Sequence, residues 1–294
     1  MVTIRTDLAA EAHALWRENA KETTELSGVC ARESSLHGYG VHCVEILDRA
    51  GEQALGKPKG IYLTLDTASL RRGDSDAFSR AVYAIAELLR PLLPPEGTVL
   101  VCGIGNRQMT PDALGPLTLE HLLITRHLGK ILPDFRSLAA IGAGVLGTTG
   151  MEVAEWVRGA AHRVKPAAVV LVDALAARST DRLCTTIQIA DSGLIPGSGV
   201  GNHRTPLDRE TLGVPVISVG VPTVVDAGTL ALDLVADCGG NIDRAKITHE
   251  AKTLFVTPDS IDAKVREMAK LIGYGIDLAT QPGLELADLA ALLE

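Results

Sequence analysis

The chain has 294 residues, 28 Lys and Arg against 36 Asp and Glu (net charge −8), 46% hydrophobic residues and 29 glycines. A chain this long can bury about 75% of its unfolded surface in a large core, and its ordinary globular apolar fraction argues against bulk disorder. Its acidic balance excludes a general nucleic-acid binder, whose footprint is basic.

In chain order, the charged start at Arg5, Asp7 and Glu11 is unlike a signal peptide. Leu8 to Leu26 reads as an amphipathic helix. Val41 to Leu47 and Ile61 to Leu65 read as strands. Asp74 to Arg90 reads as a helix, because Phe78, Val82, Ile85, Ala86 and Leu89 recur at three- and four-residue spacing after Ser75. The short Pro91 to Gly97 stretch reads as a turn within one domain. Val99 to Cys102 is then a strand, Leu117 to Leu128 a helix, Leu138 to Ile141 a strand and Met151 to Val164 a helix. Ala167 to Val172, Thr185 to Ile189 and Val214 to Val219 are strands, and Asp226 to Ala236 is a helix. Pro258 to Glu294 reads as two helices broken at Gln281-Pro282-Gly283. Runs such as Val169-Val170-Leu171-Val172 are continuous rather than alternating, the signature of strands buried on both faces. The expected fold is therefore α/β, a mainly parallel sheet flanked by helices. No apolar run of about 18 residues is present, so no membrane span is expected. The five cysteines, Cys30, Cys43, Cys102, Cys184 and Cys238, are widely spaced without a C-x-x-C pair, so a reducing, cytoplasmic compartment is expected.

Ligands of open α/β sheets bind beyond the carboxyl ends of the strands. Five successive strand ends here carry Gly-rich or carboxylate-bearing loops. Asp112 and Asp173 stand out among them, Asp173 at the end of an apolar run and Asp112 between Pro111 and Pro116. Two carboxylates converging on one water cannot both ionise easily, so the pair divides into base and acid. The plainer alternatives are an N-cap for Asp112 and a turn for Asp173. The loops at Gly142 to Gly150 and Pro196 to Asn202 offer backbone N–H groups for an oxyanion, with Gly144, Gly147, Ser198 and Gly199 as candidates. Gly142, Gly144 and Gly147 also have the spacing of a dinucleotide fingerprint, which keeps a nucleotide-binding alternative open. His121 and His127 lie six apart on the expected helix, not at metal-ligand spacing.

Several stretches resemble one family when taken together and in order. They are Arg5-Thr6-Asp7-Leu8-Ala9, Gly105-Asn106, Thr110-Pro111-Asp112-Ala113-Leu114-Gly115-Pro116 and Val172-Asp173-Ala174-Leu175-Ala176. Thr185-Thr186-Ile187-Gln188-Ile189, Pro196-Gly197-Ser198-Gly199-Val200-Gly201-Asn202 and Gly220-Val221-Pro222-Thr223-Val224-Val225-Asp226-Ala227 complete the set. This pattern resembles the germination protease of spore-forming bacteria. The resemblance implies an endopeptidase that degrades small acid-soluble spore proteins in the forespore or spore core, without binding nucleic acid itself. It also implies a homotetramer and a zymogen that cleaves itself between Asp7 and Leu8. Residues 1–7 would then be a propeptide and 8–294 a single α/β peptidase domain. The proposed catalytic carboxylates of the family fall on Asp112 and Asp173. The implied fold is phosphorylase/hydrolase-like, similar to hydrogenase maturation proteases. Those enzymes suggest an alternative, a metal-dependent maturation-type peptidase with the same carboxylates as ligands. Ile195 stands where the family is associated with His, so neither a metal nor a cofactor is assigned.

Overall fold

The computed structural model describes residues 6–20, 26–68, 76–198, 204–238 and 254–293. Among them, nine strands form one sheet: β1 (Val29–Leu36), β2 (Tyr39–Ile46), β3 (Gly60–Asp66), β4 (Val99–Ile104), β5 (Leu138–Gly144), β6 (Ala168–Ala177), β7 (Thr186–Ala190), β8 (Val216–Asp226) and β9 (Phe255–Val256). The spatial order is β1-β2-β3-β7-β8-β6-β4-β5, with β9 on β8. The helices are α1 (Ala9–Ala20), α2 (Arg49–Leu55), α3 (Ala77–Leu89), α4 (Leu114–Leu119), α5 (Leu146–Thr149), α6 (Val153–Val164), α7 (Arg209–Leu212), α8 (Ala227–Asp237), α9 (Ile261–Thr280) and α10 (Leu286–Leu293). None of them is long and apolar enough to cross a membrane.

The sheet is mixed. Strands β5, β4, β6 and β8 run parallel, and the remaining pairs are antiparallel. The expected parallel sheet is thus confined to the half where the continuous apolar runs fall. In β4, Val99 and Val101 face one core with α3, α4 and α9, while Leu100 and Cys102 face a second core with α6. Both faces are buried, so alternation vanishes from the sequence. Each fully buried Val or Leu there stabilises the fold by about 1.5–3 kcal/mol.

Strand β1 is an addition to the expected set. Its residues are mostly polar and exposed (Arg32, Glu33, Ser34 and Ser35), as suits a charged edge that resists pairing with other chains. The two-residue turn His37-Gly38, both with positive φ, closes the β1–β2 hairpin.

The expected helix over Leu117 to Leu128 is broken. Helix α4 ends at Leu119, so His121 and His127 do not share a helix. Bonds from outside replace helical ones. Leu123 N–H donates to Asp277 Oδ2 of α9 (2.9 Å), Thr125 Oγ1 donates to Arg136 O (2.6 Å), and Leu138 N–H donates to Thr125 Oγ1 (2.8 Å).

Asp277 is fully buried, and its Oδ1 has no partner among the described residues. Burial raises its pKa to about 8, with the Leu123 N–H opposing. A carboxyl with a raised folded pKa contributes stability that is complete below its unfolded pKa near 4 and lost as the pH climbs toward 8. Asp277→Asn keeps an acceptor for Leu123 and cannot ionise. Its Tm is expected to match the parent near pH 4 and to exceed it increasingly toward pH 8. Thermal melts across that range check this, and a pH-independent difference would refute it.

Candidate active site

The site is built where the β4–α4 turn meets the middle of β6. Asp112 lies in the short 3-10 turn Thr110–Asp112 and caps no helix. Its Oδ2 instead accepts from Asn106 N–H (2.7 Å), which closes the loop after β4. Thr223 Oγ1 of β8 donates to Pro111 O (2.7 Å) and ties that loop to the sheet. Asp173 lies inside β6, opposite Gly220 of β8, rather than in a turn at the strand's end. It is 7% exposed, and its Oδ1 accepts from Ala174 N–H (2.9 Å).

Both carboxylates line one cavity of about 720 Å³, together with Asp7, Lys57, Gln188, Ser198 and Arg204. Burial pushes the Asp173 carboxyl well above the usual range, and the charges of Asp112 and Asp7 push it further. The Ala174 N–H and the Arg204 guanidinium oppose that rise without cancelling it. Burial also raises Asp112, against the Asn106 N–H and Arg204. The two groups are therefore unequal: Asp173 holds its proton more firmly.

The N-terminal segment enters this cavity. Asp7 N–H donates to Ala176 O (2.8 Å), and Ala176 N–H donates to Asp7 Oδ2 (2.8 Å). Ser198 Oγ donates to Asp7 Oδ1 (3.1 Å). Gln188 Nε2 donates to Asp7 O (3.0 Å), and Ala9 N–H donates to Gln188 Oε1 (2.8 Å). Leu8 is fully buried against Ala177, Leu183 and Val225. Ala9 is fully buried against Leu55 and Tyr62. Glu11 accepts from Arg178 N–H (2.8 Å), Ser179 N–H (2.9 Å) and Thr6 Oγ1. Lys57 Nζ donates to Thr6 O (3.3 Å); burial lowers its pKa, and Asp7 and Glu11 partly restore it.

The structure thus brings together Asp7, Leu8, Asp112, Asp173 and Ser198. Gly144 and Gly147 lie outside the cavity lining, and Gly199 lies outside the described residues. Gly142 and Gly147 have no close neighbour that would demand a glycine, and α5 is a single turn, so the dinucleotide arrangement does not form. Among the described residues, no three His, Cys, Asp or Glu side chains are grouped to hold a metal.

The family profile described as germination protease matches residues 8–238. The chain belongs to the germination protease family. It is 41% identical to a germination protease of Caldanaerobacter subterraneus subsp. tengcongensis, over 99% of this chain and 98% of that one. It is 39% identical to a germination protease of Clostridium perfringens, over the full length of both. A hydrogenase maturation protease from Thermococcus kodakarensis aligns at 21% identity with a TM-score of 0.36, over 64% of this chain and 98% of the other. That last likeness is too distant to carry an argument. As a germination protease family member the chain is a peptidase. Three cavity residues of this peptidase escape a reading of strand ends. Gln188 carries a faint signal, a polar residue inside the apolar strand β7. Lys57 and Arg204 carry none, because each looks like an ordinary loop cation in sequence.

Proposed function

We propose that this chain is an endopeptidase that hydrolyses small acid-soluble spore proteins during germination, in the spore core. It is made as a zymogen whose residues 1–7 are removed by self-cleavage between Asp7 and Leu8, leaving 8–294 as the peptidase domain. The homotetramer implied by the family resemblance belongs to the same reading. One observation carries it: the Asp7–Leu8 segment is docked in the cavity that holds Asp112 and Asp173, with backbone and side chains of Asp7 and Leu8 all engaged.

In this reading Asp112, held closer to ionisation by Asn106 and Arg204, takes a proton from water. The water oxygen attacks the Asp7 carbonyl carbon. Protonated Asp173 donates a hydrogen bond to the carbonyl oxygen as it gains charge. Asp112 then returns its proton to Leu8 nitrogen, the C–N bond breaks, and Asp7 leaves as a carboxylic acid. A substrate chain from another protein would enter along the same backbone partners, Ala176 and Gln188.

Mild acidification protonates one of the cavity carboxylates and relieves the repulsion among Asp7, Asp112 and Asp173, before the base Asp112 is itself lost. Incubation of the full chain under acidic, dehydrated conditions is expected to give one new N-terminus, at Leu8, by mass spectrometry. The resulting protein is expected to digest a small acid-soluble spore protein after acidic residues. A different N-terminus, or no cleavage, would refute the self-processing step.

A further inference from the structure

Gln188 is 7% exposed and sits in β7, held by β3 at Thr64 and by β8 at Gly220. Its side-chain amide spans the bond assigned to cleavage. The Nε2 group donates to Asp7 O at 3.0 Å, and Oε1 accepts from Ala9 N–H at 2.8 Å. That orientation is forced, since a carbonyl oxygen only accepts and a backbone N–H only donates. We infer that Gln188 is a catalytic residue, the oxyanion-stabilising donor for hydrolysis of the bond after Asp7. The inference rests on the self-cleavage reading above.

The physical case lies in where charge develops. Attack of water turns the Asp7 carbonyl oxygen from a dipole into an oxyanion. A donor already within 3.0 Å, fixed on a strand and shielded from solvent, strengthens its bond at that moment without reorganising. The second bond, to Ala9, locks the amide so that its N–H group cannot swing away. Leu8 N–H, on the leaving nitrogen, is engaged separately by Thr6 Oγ1 (3.0 Å). Gln188 gains and loses no atom. The water proton passes through Asp112, and the bond broken is Asp7 C to Leu8 N. The loop glycines Gly144 and Gly147, candidates for this role in the sequence, do not line this cavity.

The test separates stabilisation of the oxyanion from anchoring of the chain. Gln188→Glu keeps the acceptor for Ala9 and removes the donor at neutral pH. Single-turnover self-cleavage of the full chain, and cleavage in trans of a peptide spanning residues 3–14, are measured beside the parent. Self-cleavage and kcat are expected to fall about 10²–10³-fold with KM changed less than threefold. The deficit relative to the parent is expected to shrink as the introduced carboxyl protonates and regains a donor. Asp7, Asp112, Asp173, Asp208, Lys57, Tyr62 and Arg204 are ionisable or charged side chains of the same cavity, so only the variant-to-parent ratio at each pH is read. Gln188→Leu, of similar volume, is the second variant, and circular dichroism verifies both folds. Should Gln188→Glu fail to fold, Gln188→Leu decides, with the same expected loss in kcat.

Cleavage within threefold of the parent in the folded variants would overturn the assignment while leaving the peptidase reading intact. So would a loss confined to KM. Failure of the parent itself to cleave would overturn both.

Discussion

Asp173→Asn is expected to lower cleavage of the Asp7–Leu8 bond, and digestion of a small acid-soluble spore protein, by about 10²–10⁴-fold. The amide has nearly the shape of the carboxyl it replaces but no acidic proton. In the parent, Asp173 is buried beside Asp112 and Asp7, so its neutral, donating form is the favoured one. The carboxyl proton that strengthens its bond to the oxyanion is then lost. Asp112→Asn is expected to cost at least as much, because no other cavity carboxylate sits against the Asn106 N–H group to act as base. Stability should move the other way. A carboxyl with a raised folded pKa contributes stability that is lost as pH rises, so Asp173→Asn is expected to melt at or above the parent temperature at neutral pH. Loss of activity with no loss of Tm marks a catalytic role. Retained cleavage in both Asn variants would refute the pair. The parent's rate should also fall on both sides of an optimum: at high pH as Asp173 ionises, at low pH as Asp112 protonates.

Gly105→Ala is expected to destabilise the fold by about 2–4 kcal/mol and to unseat Asp112. Gly105 has φ of 120°, which an L side chain rarely adopts, and a Cβ there would lie 2.0 Å from Asp112 O and 3.2 Å from Asp112 Oδ1. Both obstacles are backbone or a hydrogen-bonded carboxylate, so neither yields cheaply. The neighbouring Gly115 is similarly constrained, with a Cβ meeting Ile104 O at 2.3 Å and Val172 O at 2.5 Å. Together these glycines let α4 press onto the end of β4 and the middle of β6 and so bring Asp112 toward Asp173. A chemical melt of Gly105→Ala paired with a self-cleavage assay checks the prediction. Parent-like stability would mean that the loop relaxes without cost.

Much of this was legible in the residues. The apolar runs of β4 and β6 are long and uninterrupted because both faces are buried, and that pattern needs no partner to be seen. The same runs led to Asp173, at the end of the apolar run, and to the loop after β4 that carries Asp112 between Pro111 and Pro116. The polar edge strand β1 was not legible, because an exposed edge leaves no apolar signature. Nor was the break after α4, where Leu123 N–H bonds the side chain of Asp277, 154 positions along the chain, and Thr125 Oγ1 bonds Arg136 O in place of helical bonds.

The sequence by itself determined the α/β class and pointed to Asp112 and Asp173 as candidates, because hydrophobic pattern and residue type are local properties. Only the tertiary structure decided that half the sheet is antiparallel, that Asp173 lies within a strand, and that Asp7 and Leu8 dock beside it. It alone brought Gln188 to the Asp7 carbonyl, 181 positions away in the chain. Such meetings depend on strand order and register, which arise from packing of the whole sheet and which no local window of residues contains.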